Sequence, residues 1–527
     1  MGRPFLVVSF YCLLALKAWM QLPTLTWGQG IGFSRNESLH NLYSISNVEA
    51  GWVRLKFPSL GYHKAIVDVF DIPFLNLDRS IELHHGKIVQ EKYRFYRPKF
   101  AGMTVLKNRF LIFQTGYDPN RKQALALINP VDLNGREEGK PSLILDERVE
   151  SKIKAPSVRF LSESSSGKIA LFTTNFSDRQ LGVELEISVL DSTMNLDWTN
   201  TVMLPYQRNE LGAEEIRIDD NGTVWALLQI RPREIGILEN REDKSLLQLL
   251  VFSSTDSLGE FFNIPLKYGV RKIQSASLDT LNGEIWISMS YEIPQKRAAS
   301  TFGILLQPIP KNPKLSWPEP IDLAFEPSFL PDFETDALIQ SRADREAAYV
   351  EVLKVFSSSS QRSKFVLAEH RLFTEHCYTD YRTAQQFCTY TYYRNDLFVF
   401  ALDSMNRMAW KMKLPKRQVS RNDQGMFLSV FPAMSNDTLK LAWLEHPENN
   451  ELTSEKERRF MDNPRKAHLL VWHLPLTGVP HRAQTPLPRT GKKVIVPMLN
   501  KGLLVPGGSV FFPGILGRKM FPGILNW

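Results

Sequence analysis

The side chains best suited to hold another molecule gather in one stretch of the chain. Residues Cys377 to Arg394, CYTDYRTAQQFCTYTYYR, hold five tyrosines, two arginines and two cysteines. Tyrosine offers apolar area and a hydroxyl at a low entropy cost, which suits recognition surfaces. Twenty residues on, Pro415-Lys416-Arg417-Gln418 and Arg421-Asn422-Asp423 add cations, amides and a carboxylate at a Leu-Pro strand exit. We therefore take Tyr392, Tyr393, Asn395, Lys416, Arg417, Gln418 and Arg421 as the candidate ligand-binding residues, with chemistry that fits a protein, an anionic group or a carbohydrate. The plainer alternatives are tyrosines that pack on a neighbouring sheet and a loop that only solvates its turn.

No residue stands out as catalytic and no cofactor is implied. The phosphate loop, the dinucleotide fingerprint, the hydrolase elbow, H-E-x-x-H and paired C-x-x-C are missing from the sequence. His84-His85, Glu369-His370 and Glu375-His376 invite a metal reading. On a straight strand His370 and His376 lie about 20 Å apart at ~3.3 Å per residue, and adjacent His84 and His85 point to opposite faces. Neither pair can share an ion, so no metal is expected.

The N-terminus reads as an export leader. Arg3 precedes a twelve-residue apolar run, Phe5–Leu16, too short to span a bilayer, and Gly28 and Gly30 offer exits before Gln29 or Ile31. A buried N-terminal helix or a signal anchor is the alternative. Cys12 lies in the apolar run, where Tyr11 spoils a lipoprotein box. Leader removal leaves Cys377 and Cys388, an even pair eleven residues apart in an exported chain, which points to a local disulfide, with two buried thiols as the alternative. No later stretch is a candidate transmembrane segment, and the expected location is the periplasm, cell surface or exterior.

The whole chain, 527 residues at formal charge +8, has ordinary globular composition, 43% hydrophobic and 23% charged. Basic and acidic residues are interspersed, which fits a solvated surface better than a nucleic-acid partner. From about residue 50 the elements that must position the candidate site are short apolar runs such as RFLIF, TVWALLQI, EIWISMSY and DLFVFAL, separated by Asn-Gly, Asp-Ser and Pro. These are strand signals. The only helical candidates are 343–355, which reads equally as strand, and the polar 452–460.

One phrase occurs twice, LDSTMNLDWTNTVMLPY at 190–206 and LDSMNRMAWKMKLPK at 402–416, with a looser copy at 254–265. A second phrase, DDNGTVWAL and DTLNGEIWIS, alternates with it. Both markers share a period of just over sixty residues, enough for four strands and loops. The expectation is an all-β fold, a β-propeller of six to eight blades, with tandem β-sandwiches as the alternative. The domain division is a leader at 1–30, a lead-in at 31–50, and one propeller-like domain over 51–527 with Pro/Gly-rich C-terminal strands. Trp198, Trp225, Trp286 and Trp410 should fill interblade positions with their indole N–H groups bonded, rather than form exposed sugar-stacking platforms.

These pieces, especially YYRNDLFVFALDSMNRMAWKMKLPKRQVSRNDQGMFLS at 392–429, resemble a family of uncharacterised exported proteins of Bacteroidetes. The resemblance covers about residues 150–450 and implies an exported, propeller-like fold without an assigned activity. This chain departs from the pattern at Val419-Ser420-Arg421 and in its C-terminus. Sequons at Asn36, Asn175, Asn221 and Asn436 would mean little in a bacterial exported protein, and Asp-Ser or Asp-Thr steps that resemble Bacteroidetes O-glycan acceptors are explained as well by turn chemistry. Two functions are expected: an exported binding or scaffold propeller at the bacterial envelope or exterior, or a propeller-fold glycosidase or lyase acting on extracellular polysaccharide, which would need two carboxylates about 5–10 Å apart in a concave site.

Overall fold

The computed structural model describes residues 23–527, apart from stretches of which the longest are 84–98, 231–245 and 330–348. The apolar run Phe5–Leu16, Cys12, His84, His85, Asn36, Asn436 and residues 452–457 lie outside the described residues. Among the described residues eight blade sheets succeed one another, each antiparallel with neighbouring strands in the order 1-2-3-4, and a small two-stranded sheet pairs Arg489–Thr490 with Lys493–Val494. Blades 1 to 7 span 38–83, 99–148, 157–204, 211–263, 272–324, 349–414 and 430–486. Blade 8 takes Val496–Pro497, Val510–Leu516 and Lys519–Asn526 from the C-terminus and its outer strand, Thr24–Trp27, from the N-terminus. Of the stretch 343–355, a helical candidate that read equally as strand, residues 343–348 lie outside the described residues and 349–355 belong to the first strand of blade 6, Tyr349–Ser357. Among the described residues no helix is long and apolar enough to cross a membrane.

Apolar layers join consecutive blades. Leu185 and Val202 of blade 3 share a core with Ala226 and Leu250 of blade 4, and Trp286 and Leu306 of blade 5 with Val366 and Phe400 of blade 6. Val471 of blade 7 meets Phe512 and Leu525 of blade 8. A blade has two apolar faces, and each is buried only by a neighbour, which is why the repeat closes into a β-propeller. Polar side chains tie the inner strands as well: the Glu215 carboxylate of blade 4 accepts the Leu278 N–H of blade 5 at 2.8 Å, and the Gln274 side-chain oxygen accepts the Val350 N–H of blade 6 at 2.8 Å.

The repeated phrase is a turn. Asp191 and Asp403 both start the connection between the third and fourth strands of their blades, and each carboxylate accepts two backbone N–H groups, from Thr193 and Asn195 and from Met405 and Arg407. The fourth turn residue is left-handed in both, Met194 at φ 72° and Asn406 at φ 62°. Asp132 makes the same pair of bonds, to Asn134 and Arg136, at the same place in blade 2. The Asn221-Gly222 step and Gly283 sit between the first and second strands of blades 4 and 5, with Gly222 at φ 87° and Gly283 at φ 78°. The sixty-residue period is therefore one blade.

The tryptophans occupy equivalent strands as expected. Trp198 and Trp410 lie on the fourth strands of blades 3 and 6, and Trp225 and Trp286 on the second strands of blades 4 and 5. Trp198, Trp225 and Trp286 are buried, whereas Trp410 is half-buried and donates its N–H to the Leu476 carbonyl at 2.9 Å. The expectation of a bonded indole fails for Trp225 and Trp286, whose N–H groups are enclosed without a partner. Their rings stand in the dry layer between sheets, where backbone groups are already committed to strand ladders.

Thr24–Trp27, within the stretch read from the sequence as leader, is the outer strand of blade 8, paired from Thr24↔Asn526 to Trp27↔Gly523.

Candidate binding site

The second and third strands of blade 6, Lys364–Asp380 and Gln385–Leu402, run in register far beyond the blade and stand out as a hairpin. Its arms are rich in Thr, Tyr and Phe, which favour extended backbone. The turn Tyr381–Ala384 is closed by the Asp380 carbonyl accepting the Ala384 N–H at 2.8 Å, with Ala384 left-handed at φ 55°. Cys377 and Cys388 are separated from that turn by three residues on either side, lie directly opposite each other, and form a disulfide with Cα atoms 4.0 Å apart. The expected bridge is present. Replacing Cys377 by serine should leave the blades intact and loosen only the hairpin. Hydrogen exchange over 373–392 should then speed up while the global melting point moves by less than about 3 °C.

Strand alternation sorts the hairpin into two faces. One carries Phe373, Glu375, the disulfide, Tyr390 and Tyr392, with the Phe373 ring 6.1 Å from Tyr390 and 5.1 Å from Tyr392. A hydrogen bond to Glu375 raises the pKa of the Tyr390 hydroxyl. The other face carries His376, Tyr378 and Phe387, the last two stacked at 5.5 Å. Tyr378, Tyr381, Phe387 and Tyr390 are all exposed, Tyr381 at 91%. Among the described residues, Glu375, Cys377 and Cys388 form a group with metal-ligand spacing, but both sulfurs are committed to the disulfide.

In a four-stranded meander the turns between strands 2 and 3 and the crossovers to the next blade share one end. The hairpin therefore emerges beside the crossover from blade 6 to blade 7. Gln418–Arg421 of that crossover pairs with the hairpin, from Arg394↔Gln418 to Thr391↔Arg421. A loop of blade 7 lies along it: Met461 exchanges backbone bonds with Arg417 and Val419. The structure thus brings the two halves of the sequence-predicted site together.

It also divides them. Tyr393, Asn395, Lys416 and Gln418 are buried, the last two completely, so these four of the candidate residues do not present to a ligand. The Gln418 amide donates to the Leu444 carbonyl at 2.7 Å and accepts the Ser429 N–H at 2.7 Å, which fixes the crossover onto blade 7. Alternation turns Arg417 outward, over the Phe460 ring at 5.6 Å, and Tyr393 meets the same ring edge-on at 6.0 Å. Arg421 is exposed and Tyr392 half-buried.

Beneath them lies a charged core that sequence reasoning missed. Glu351 and Glu369 are directly opposite on neighbouring strands, a repulsive placement that Arg371 relieves by bonding both. Lys416 forms an ion pair with Glu369 in which both side chains are fully enclosed, Arg394 stands 3.7 Å from the same carboxylate, and the Ser429 hydroxyl donates to it at 3.0 Å. Burial pushes Glu369 upward, but Lys416, Arg371 and Arg394 outweigh it and hold the carboxyl at about 2. Burial draws the Lys416 ammonium down, opposed by Glu369. Burial lowers His370 to about 3, so it is neutral at physiological pH. Glu369 is sealed and fully paired, so this pair of carboxylates supports position, not acid-base chemistry. The only sequence sign was the polar Glu-His-Arg triplet interrupting a buried strand.

No protein-family model matches the chain, and no curated protein matches it. Solved structures to which it is similar include the WD40 domain of SCAP from fission yeast, at 8% identity over 97% of this chain and 98% of that one, TM-score 0.38. Others are the polysaccharide lyase Uly1, at 10% identity over 81% and 89%, TM-score 0.35, and the α-L-arabinofuranosidase of Fusarium graminearum with an iminosugar inhibitor, at 8% over 71% and 94%, TM-score 0.32. At such values these likenesses carry no argument about activity, and the bacterial family resemblance seen in the sequence gains no support from them.

Proposed function

We propose that this is an exported β-propeller that binds a carbohydrate or protein ligand through the hairpin and crossover of blade 6. The observation that carries the reading is the disulfide-tied hairpin: it stands clear of the blade and exposes Tyr378, Tyr381, Phe387 and Tyr390, with Arg421 alongside. Large rings on a stapled support lose little entropy on contact, and a nearby guanidinium suits an anionic or hydroxyl-rich ligand. Export is supported by the leader-like N-terminus and by the disulfide, a bond that persists in oxidising compartments.

The test is affinity electrophoresis of the purified protein through gels containing one neutral and one anionic polysaccharide. At least one should retard the native chain. The variant Tyr378→Ala/Tyr381→Ala/Phe387→Ala should keep the native melting point and lose at least tenfold in affinity, about 1.4 kcal/mol. Release of new reducing ends or unsaturated uronate by the native protein would overturn the reading in favour of a glycosidase or lyase. Retention unchanged by the triple variant would place the ligand elsewhere.

A further inference from the structure

We propose that the ligand of the blade 6 hairpin is an acidic polysaccharide lying along the face that carries His376, Tyr378 and Phe387. The inference rests on the hairpin reading and narrows it to one class of ligand. Pairing fixes what this face offers. Tyr378 is opposite Phe387 near the tip, His376 is opposite Thr389, and Arg421 of the crossover is opposite Thr391 at the base. The two rings are near parallel, 24° apart in plane with centroids 5.5 Å apart, and stay 57% and 44% exposed. The C–H groups on one face of a sugar ring carry partial positive charge and suit the negative face of an aromatic ring. Arg421 is exposed and lies at the level of Thr391, further down the strand from Phe387. The separation is about 13 Å at ~3.3 Å per residue, roughly two or three linked sugar rings. A carboxylate or sulfate at that distance along the polymer meets the guanidinium, which binds such groups through paired N–H donors. His376 is exposed and Thr389 half-buried, so an imidazole and a hydroxyl suited to sugar hydroxyls lie between the rings and the cation.

The carboxylates nearby are engaged elsewhere. Glu375 lies on the opposite face, bonded to the Tyr390 hydroxyl. Asp380 lies beyond the rings, at the tip, and accepts the Arg382 N–H at 2.8 Å. Asp423, just after Arg421, accepts the Gly425 N–H at 2.9 Å. From Phe387 to Arg421 the strip is therefore neutral or cationic. Its size also selects the ligand. Two strands ~4.8 Å apart, followed from Thr374 to Asp380, make a face about 20 Å long and about 10 Å wide, or about 200 Å². A stable protein interface takes about 800 Å² from each partner. The strip is wide enough for a polymer of single sugar rings and too small for a protein.

Affinity electrophoresis tests this, with alginate and polygalacturonate as carboxylated probes, dextran sulfate as the sulfated probe and xylan as the neutral one. At least one acidic polymer should bind the native protein about tenfold tighter than xylan, and the order of carboxylated and sulfated probes identifies the acid group. Arg421→Gln should remove that preference. Thr389→Glu, on the proposed face, should weaken binding to the acidic polymer about tenfold. Gln386→Glu makes the same charge change on the opposite face and should leave binding unchanged. Equal losses from these two variants show that retention follows net charge, and they overturn the proposal. Tighter retention by xylan, lost in Tyr378→Ala/Phe387→Ala, overturns the acidic ligand and keeps the hairpin as the site. Retention by an acidic polymer that survives Tyr378→Ala/Phe387→Ala overturns the hairpin reading as well. Retention by none of the four polymers overturns the polysaccharide in favour of a protein.

Discussion

Replacing Lys416 by methionine is expected to destabilise the protein by about 3 kcal/mol in urea or guanidinium unfolding, because it removes the fully enclosed cation of the three that hold the Glu369 carboxylate and leaves Arg371 and Arg394 to carry it in a site closed to water. Both partners are fully enclosed, so neither can be rehydrated without opening the crossover. The double variant Glu369→Gln/Lys416→Met removes both charges and should recover much of the loss. A double variant as unstable as the sum of the single ones would mean that the charges act independently. Ligand retention by the hairpin should fall along with folding and not separately, since Lys416 faces inward.

Acid should act on the same core, and the sign follows from the shifts. Glu369 is held at about 2, below its ordinary 4.5, so its contribution is present above pH 4.5 and is lost as pH falls toward 2. His370 is held at about 3, below its ordinary 6.5. The unfolded chain takes up a proton that the folded one refuses, and stability starts to fall below pH 6.5. The native protein should therefore lose stability progressively from pH 6.5 downward. His370→Gln should flatten the part of that curve between pH 6.5 and 4.5. An unchanged slope there would show that His370 titrates normally.

Trp286→Ala should cost about 3–5 kcal/mol, the second large effect. The ring is 4% exposed, belongs to the core between blades 5 and 6, and carries the Lys364 ammonium over its face at 4.7 Å. Truncation removes apolar contacts from both sheets and the cation's partner together. Trp410→Ala, at the half-buried position, should cost clearly less. If the two variants are equally stable, the tryptophans do not serve as interblade filler. Ligand retention at a temperature where both stay folded should be unaffected.

What the sequence by itself determined is local. The Asp-led turns bond from residue i to i+2 and i+4, so Asp191 and Asp403 announce themselves wherever they occur. The period of just over sixty residues follows because turns of one kind return at the same place in neighbouring blades, as at Gly222 and Gly283 between the first and second strands of blades 4 and 5. The Cys377–Cys388 bridge was legible because both cysteines belong to one hairpin and its turn sets their register. Tyr392, Tyr393, Arg417 and Arg421 were singled out by residue type alone, which does not report burial: Arg421 is exposed, whereas Tyr393 is buried. What only the tertiary structure decided depends on distant partners. Lys416 looks like a surface cation until Glu369, on another strand, is folded against it, and alternation along the crossover then turns Arg417 outward. Thr24–Trp27 looks like the tail of a leader until the ring closes and the other end of the chain, Gly523–Asn526, offers its free edge. Nothing in either segment encodes that meeting, because backbone pairing between chain ends carries no side-chain signature and its register is set only when eight blades complete the circle.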